Sequence, residues 1–293
     1  MAGLLDVVMV TTSYPRFEGD FAGHFVASLA SELAGLGHRI TVIAPHEPGS
    51  LSAEEHGNLS IRRVRYAPDR LERLAYGDGI VPNLKAAPVL GLAVPGLARA
   101  LRSAVREYAA HADIVHVHWA PTAVLADVAA SRVPVALSLH GSDVTLGTRG
   151  VLRWMLARGL RAADAAMAVA DSQKEAIVSA GLYDGPIDVV PCGIPLELTK
   201  RPRPSRVQGG SPSFIFVGRL VVTKGVLELL DAFGSVAADL PLATLSIVGK
   251  GPLALRLAEL VQARGLTGRV ELVGEVPHER ALDLIAQADM LVL

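Results

Sequence analysis

The sequence has almost no cysteine. Cys192 is the single one in 293 residues, so no internal disulfide can form, and a reducing, cytoplasmic setting is expected. Aromatics are scarce at 4%, so the cores must be built mostly from Ala, Val, Leu and Ile. A charge imbalance is missing too. The 28 Lys and Arg stand against 29 Asp and Glu, a net charge of −1, which removes any global electrostatic case for nucleic acid. The longest uncharged apolar run, residues 86–98, holds two prolines. It is far shorter than the roughly 20 residues a spanning helix needs, so no transmembrane segment is expected. The start, "MAGLLDVVMVTT", lacks a basic region, and Asp6 interrupts its apolar run, so it reads as a first strand and not as a signal peptide. No set of His, Cys and carboxylates stands at ligand spacing, and no metal is expected.

What is present is alternation of short apolar runs with longer amphipathic ones. Strands are predicted at residues 5–12, 39–45, 59–66, 113–119, 133–140, 165–170 and 187–191. A helix is predicted over 23–37, where Phe25, Leu29, Leu33 and Leu36 recur at three- and four-residue spacing. This is the βαβα pattern of a parallel sheet covered on both faces. Residues 200–213 hold three prolines and two glycines without apolar periodicity, which marks a linker. After it the pattern restarts, with strands at 213–220, 243–249, 269–274 and 289–293 and helices at 225–240, 251–266 and 279–288. The fold class is therefore α/β with two Rossmann-like domains: residues 1–195, a linker over 196–212, and a second domain over 213–293.

Four stretches could carry chemistry, and a fifth, "HVHW", more weakly. "SYPRFEGDFAGHF" (13–25) lies between a strand and a helix, and Gly19 and Gly23 let backbone approach a ligand there. "LSLHGSDV" (137–144) places His140 at a strand end with Asp143 three residues on, a pair that could bond a sugar; the bland alternative is a helix cap beside a packed ring. "HVHW" (116–119) puts two histidines on one face of a strand, where a core or rim role is the expected one. "FVGRLVVTKG" (216–225) brackets one βα loop with Arg219 and Lys224, two cations that could neutralise a diphosphate at a helix N-terminus. "IVGKGPLA" (247–254) formally matches the dinucleotide fingerprint through Gly249, Gly251 and Ala254, with Glu271 twenty residues beyond Gly251. That fingerprint belongs on the first strand of its domain, and here it follows the second. Two basic helical stretches, Arg99, Arg102 and Arg106 on one face and residues 149–161 with four Arg, could lie on anionic lipid or simply face water. "DSQKE" (171–175) reads as a capping box.

Together these stretches, in the order "SYPRFEGDFAGHF", "GHRITVIAP", "LHGSDV", "VVPCGIPLE", "FVGRLVVTKG", "IVGKGP" and "VELVGEVPHERALDLIAQADMLVL", resemble the retaining glycosyltransferases of family 4. The resemblance implies a GT-B fold, two Rossmann-like domains facing a cleft. It implies a UDP- or GDP-linked sugar as co-substrate, no resident cofactor, and a glycan or glycolipid acceptor, lipid-linked or of the cell envelope. By position it implies that Arg219 and Lys224 bind the donor diphosphate and that His140 sits beside the donor sugar, the three together forming the catalytic set. Gly23, Asp143, Gly218, Gly249, Gly251 and Val276 would line the donor site. "PCGIP" (191–195) would approach the interdomain crossover. Retention is expected by front-face attack, the leaving phosphate helping to deprotonate the acceptor.

The family pattern continues beyond "ADMLVL" with a Gly-rich loop and a helix carrying two glutamates eight positions apart, which these residues do not include. A C-terminally truncated second domain, inactive as it stands, is accordingly the expectation. The alternatives are a sugar-nucleotide or glycan-binding protein without turnover, a half completed by a partner chain, and, remotely, an NAD-dependent oxidoreductase. Peripheral contact with the inner face of a membrane is a further expectation.

Overall fold

The computed structural model describes residues 3–147, 150–193 and 211–293. Most of the expected linker, and the last residues of "PCGIP", lie outside the described residues. The chain divides into two compact units, Met1–Ile194 and Pro195–Leu293.

The first unit is built on an eight-stranded sheet. Its strands are β1 (Asp6–Val10), β2 (Arg39–Pro45), β3 (Ala53–His56), β4 (Leu59–Val64), β5 (Ile114–His118), β6 (Val135–Leu139), β7 (Ala165–Ala168) and β8 (Ile187–Val189), in the spatial order β3-β4-β2-β1-β5-β6-β7-β8. Strand β1 shows why the apolar runs are unbroken. Val8 and Val10 enter one buried cluster with Leu97, Leu101, Val117 and Leu137, whereas Val7 and Met9 enter another with Val26, Ala30 and Val42. Both faces are covered, so neither parity of residue can be polar. The covering helices include α1 (His24–Gly35), α2 (Ile80–Ala86), α3 (Val94–Tyr108), α4 (Ala120–Ala126), α5 (Gly141–Leu146), α6 (Gly150–Arg161) and α7 (Asp171–Ser179).

Two local readings change. Strand β3, "AEEH", has no apolar alternation and pairs antiparallel to β4 at the sheet edge. It is held by charge instead: Glu54 pairs with Arg63 and Glu55 with Arg62, which also blunts the edge against further strands. The expected capping box at Ser172 does not form, because the helix already starts at Asp171 and Ala170 is its cap. Past β4, a buried polar contact fastens the chain across the end of β2. His46 Nδ1 lies 2.7 Å from the Glu72 carboxylate, whose other oxygen accepts the N–H of Tyr66 at 2.8 Å.

The second unit is an all-parallel sheet of β9 (Ser213–Val217), β10 (Thr244–Val248), β11 (Val270–Gly274) and β12 (Met290–Val292), ordered β11-β10-β9-β12. Helices α8 (Val226–Asp239), α9 (Ala254–Ala263) and α10 (His278–Gln287) connect the strands. The core joins Phe216, Leu245 and Ile247 to Leu230, Phe233 and Leu257.

Both sheets reverse direction at their first strand. The chain leaves β1 toward β2 and β4, then returns to lay β5 on the other side of β1. It leaves β9 toward β10 and β11, then returns to lay β12 beside β9. The carboxyl ends of β1 and β9 are therefore topological switch points, where open α/β sheets leave a crevice. The loops that follow β1 and β9 are among those that sequence singled out.

Leu137 is fully buried in β6. Leu137→Ala is expected to lower the unfolding free energy by about 2–5 kcal/mol, read from the midpoint of a urea titration.

Candidate active site

In the first unit the site is assembled at the ends of β5 and β6. These strands are parallel neighbours, with His118 opposite Ser138. Beyond them the chain turns twice, at Trp119 into α4 and at His140 into α5. Trp119 has φ 67°, a left-handed conformation that a bulky residue rarely adopts. One carboxylate ties the two turns together. Asp143 Oδ1 accepts the N–H of Ala120 at 2.8 Å, and Oδ2 accepts the N–H of His140 at 2.7 Å. The Trp119 indole N–H donates to Ser142 Oγ at 3.1 Å, a second tie between the same turns. The strained backbone persists because these bonds over-determine it.

Three histidines lie against this brace. The His116 and His118 rings are 4.4 Å apart, as expected for alternate residues on one face of a strand. His118 Nδ1 is 3.2 Å from His140 Nε2, and His116 Nε2 is 2.8 Å from Ser138 Oγ. The His140 ring also packs against Phe25 of α1, at 4.6 Å, and against Trp119, at 4.9 Å. Burial holds all three imidazoles neutral. It pushes His116 and His140 down to about 4, with His116 adding to the effect on His140. His118 lies well below the ordinary histidine value for the same reason, helped by its two histidine neighbours. Asp143 moves the other way. Burial pushes it up to about 7, against the pull of its backbone donors.

The loop after β1 is fixed by its own charges. Arg16 pairs with Asp20 and Glu47, and its guanidinium lies over the Tyr76 ring at 4.7 Å. Gly23 caps α1 at φ 62°, and a Cβ there would lie 2.1 Å from the carbonyl oxygen of Ser13. Only glycine lets the loop close on itself at that point.

In the second unit, β9 ends at Val217 and α8 begins at Val226, so Gly218, Arg219 and Lys224 share one connection. Both cations are exposed. The loop after β10 supports that connection from beneath by backbone contact. Gly218 N–H donates to Val248, Leu220 N–H to Lys250, and Leu253 N–H back to Leu220, at 2.9–3.1 Å. The glycines make the approach feasible: a Cβ on Gly249 would lie 1.9 Å from the Gly218 oxygen, and one on Gly251 2.4 Å from the Leu220 oxygen. Gly249 N–H also donates to the Gly274 carbonyl at 2.8 Å, which joins this loop to the turn carrying Val276.

The expected residues thus fall into two groups. Gly23, His140 and Asp143 gather at the switch point of the first unit. Gly218, Arg219 and Lys224 lie at that of the second, Gly249 and Gly251 in the adjoining loop after β10, and Val276 in the turn after β11. Three of them also do structural work. Asp143 is 5% exposed, with both oxygens on main-chain donors, so it shapes the turn and does not present charge to a ligand. Gly249 and Gly251 serve loop-to-loop packing. That packing by itself accounts for glycine at both positions, because backbone fills the space a Cβ would take. The core or rim place expected for the two histidines of "HVHW" holds, with His118 buried and His116 partly so, but their meeting with His140 was not foreseen. The signal was a His-x-His at a strand end one strand away from a second strand-terminal His. Of the basic helical residues, Arg102 and Arg153 donate to the carbonyls of Leu125 and Ala180.

Comparison with known proteins matches residues 22–198 to the family described as Glycosyltransferase Family 4 and residues 199–293 to Glycosyl transferases group 1. A putative teichuronic acid biosynthesis glycosyltransferase, TuaC, of Bacillus subtilis is 28% identical over 99% of this chain and 75% of its own length. A glycogen synthase of Mycobacterium tuberculosis is 25% identical over 98% of this chain and 72% of its own. Among solved structures, sucrose-phosphate synthase from Thermosynechococcus elongatus aligns over 98% of this chain and 74% of its own, with a TM-score of 0.74 at 18% identity. HepE of Anabaena, solved with UDP and glucose, aligns over 98% and 73%, with a TM-score of 0.66 at 16% identity. Both sheets are those of the GT-B class.

Two outcomes are expected of these contacts. Gly249→Ala, at φ 139° and against a carbonyl, should lower stability by about 1–3 kcal/mol or more. Gly218→Ala, which meets the ring edge of Phe216 at 3.2 Å and no main-chain atom, should be milder, and thermal melts compare the two. The second concerns pH. A histidine held below its unfolded value of about 6.5 stabilises the fold above that pH, and the contribution is lost as pH falls toward the folded value. Asp143, raised above its unfolded value, acts oppositely between about 4 and 7. Three histidines outweigh one carboxyl, so the urea midpoint should fall between pH 7 and 4.5, and fall less in His116→Gln.

Proposed function

The chain belongs to Glycosyltransferase Family 4, and on that premise we propose that it transfers a sugar from a UDP- or GDP-linked donor to a glycan or glycolipid acceptor with retention of configuration. The observation that carries this reading is the connection from β9 to α8, which presents Arg219 and Lys224 at the switch point of the second unit. Breaking an anomeric bond leaves a sugar with oxocarbenium character and a diphosphate with growing negative charge. Stabilising that charge is the main task, and cations fixed before the reaction perform it without reorganisation. Arg219 offers a planar fork to two phosphate oxygens, and Lys224 offers a point charge beside the start of α8.

The glycine packing beneath the loop suits the same task. A loop held by three main-chain hydrogen bonds keeps its guanidinium and ammonium roots in place. In the first unit, His140 is the residue assigned to the donor sugar. It is neutral at pH 7, so it acts by hydrogen bonding and not by charge. Front-face attack asks for no dedicated protein base. The departing phosphate takes the acceptor proton, and the side chains bind, orient and neutralise. Val276, in the turn after β11, is the residue proposed to meet the nucleoside base.

In a protein completed with the family's downstream glutamate-bearing segment, Arg219→Ala and Lys224→Ala should each reduce turnover of a nucleotide sugar by on the order of 10²–10³, with the fold intact by circular dichroism because both side chains are exposed. Near-normal turnover in both variants would refute the diphosphate assignment. Calorimetric titration with UDP, GDP and NAD tests the donor class: binding of UDP or GDP is expected, and binding of NAD alone would overturn the reading.

A further inference from the structure

His118 is 1% exposed, so it cannot itself reach a substrate. Its ring nevertheless lies between His116 and His140, with planes 34° and 15° from theirs. Nδ1 of His118 meets Nε2 of His140 at 3.2 Å, and Nε2 of His118 is buried with no partner among the described residues. The contact with His140 is therefore the polar tether of this ring. On the other side of His140, Phe25 and Trp119 close the ring in with aromatic faces, and its main-chain N–H is held by Asp143.

An N···N hydrogen bond between two neutral imidazoles holds a single proton. Whichever ring carries it at the contact, the remaining proton and lone pair of each ring are assigned by that choice. The tautomer of His140 is thereby coupled to that of His118. Without the tether, the His140 ring could flip about χ2 and exchange tautomers between states of similar energy.

We propose that His118 is a positioning residue for the transfer reaction: it locks the ring plane and the tautomer of His140 through the shared proton. The proposal rests on the assignment of His140 to the donor sugar. Its consequence is that His118 acts on catalysis at one remove, through orientation.

Three variants test it. Asn at 118 puts an amide near the place of Nδ1, Gln puts one nearer Nε2, and Leu removes both nitrogens while keeping the site filled. His118→Asn should retain most of the turnover. His118→Gln and His118→Leu should lose at least about tenfold in kcat, with KM within about twofold. Nitrogen-15 NMR of the whole chain should show one tautomer for His140 in the parent and in His118→Asn, and a mixture in His118→Leu. Equal kcat in the Asn and Gln variants, or an unchanged His140 tautomer in His118→Leu, would overturn the proposal. Full activity in His140→Ala would instead refute the role given to His140, and the NMR signature would still decide whether His118 holds the ring. If His118→Leu does not fold, the comparison of Asn with Gln stands by itself.

Discussion

A strand buried on both faces can carry chemistry only at its end. In β1, β5, β6 and β9 both side-chain parities enter apolar clusters or lie against neighbours, so polar function is displaced to the turns that follow. Those turns must be fixed, because a catalytic side chain on a loose loop would explore too many positions. The two units meet this demand by different means.

In the first unit the means is a buried carboxylate. Asp143 lies in a place where ionisation is disfavoured, yet it binds two main-chain N–H groups that would otherwise be buried without acceptors. Those groups belong to turns after adjacent strands. One side chain therefore sets the backbone of His140 and holds the left-handed Trp119. The neutral histidine row is a consequence: the brace draws the turns together over His116 and His118, and the resulting burial keeps protons off the rings.

In the second unit the means is the absence of side chains. Gly249 and Gly251 allow the loop after β10 to press its backbone against residues 218–220, and the hydrogen bonds between them hold the base of the Arg219 loop. The cations stay exposed while their anchoring is buried. This division lets a loop carry charge into solvent without giving up its geometry.

The sequence by itself determined the class of fold and marked strand-end loops as candidates for the site. Unbroken apolar runs such as "VVMV" and "FIFV" require cover on both faces, helical periodicity between them requires crossovers, and both properties are local. Arg219, Lys224, Gly23 and His140 could be named because they stand where strands end. Tertiary structure alone decided what several residues do. Asp143 could cap a helix or meet a ligand until Ala120, from another turn, occupied its second oxygen. Gly249 and Gly251 could approach a phosphate or a peptide until the loop at 218–220 arrived. His118 had no visible partner, since His140 is distant in sequence and becomes a neighbour through the pairing of β5 with β6. The edge strand β3 was hidden for the same reason, as its stability comes from Arg62 and Arg63 across the hairpin. Burial periodicity is written along the chain, whereas a hydrogen-bond partner is chosen by whichever backbone the fold brings near.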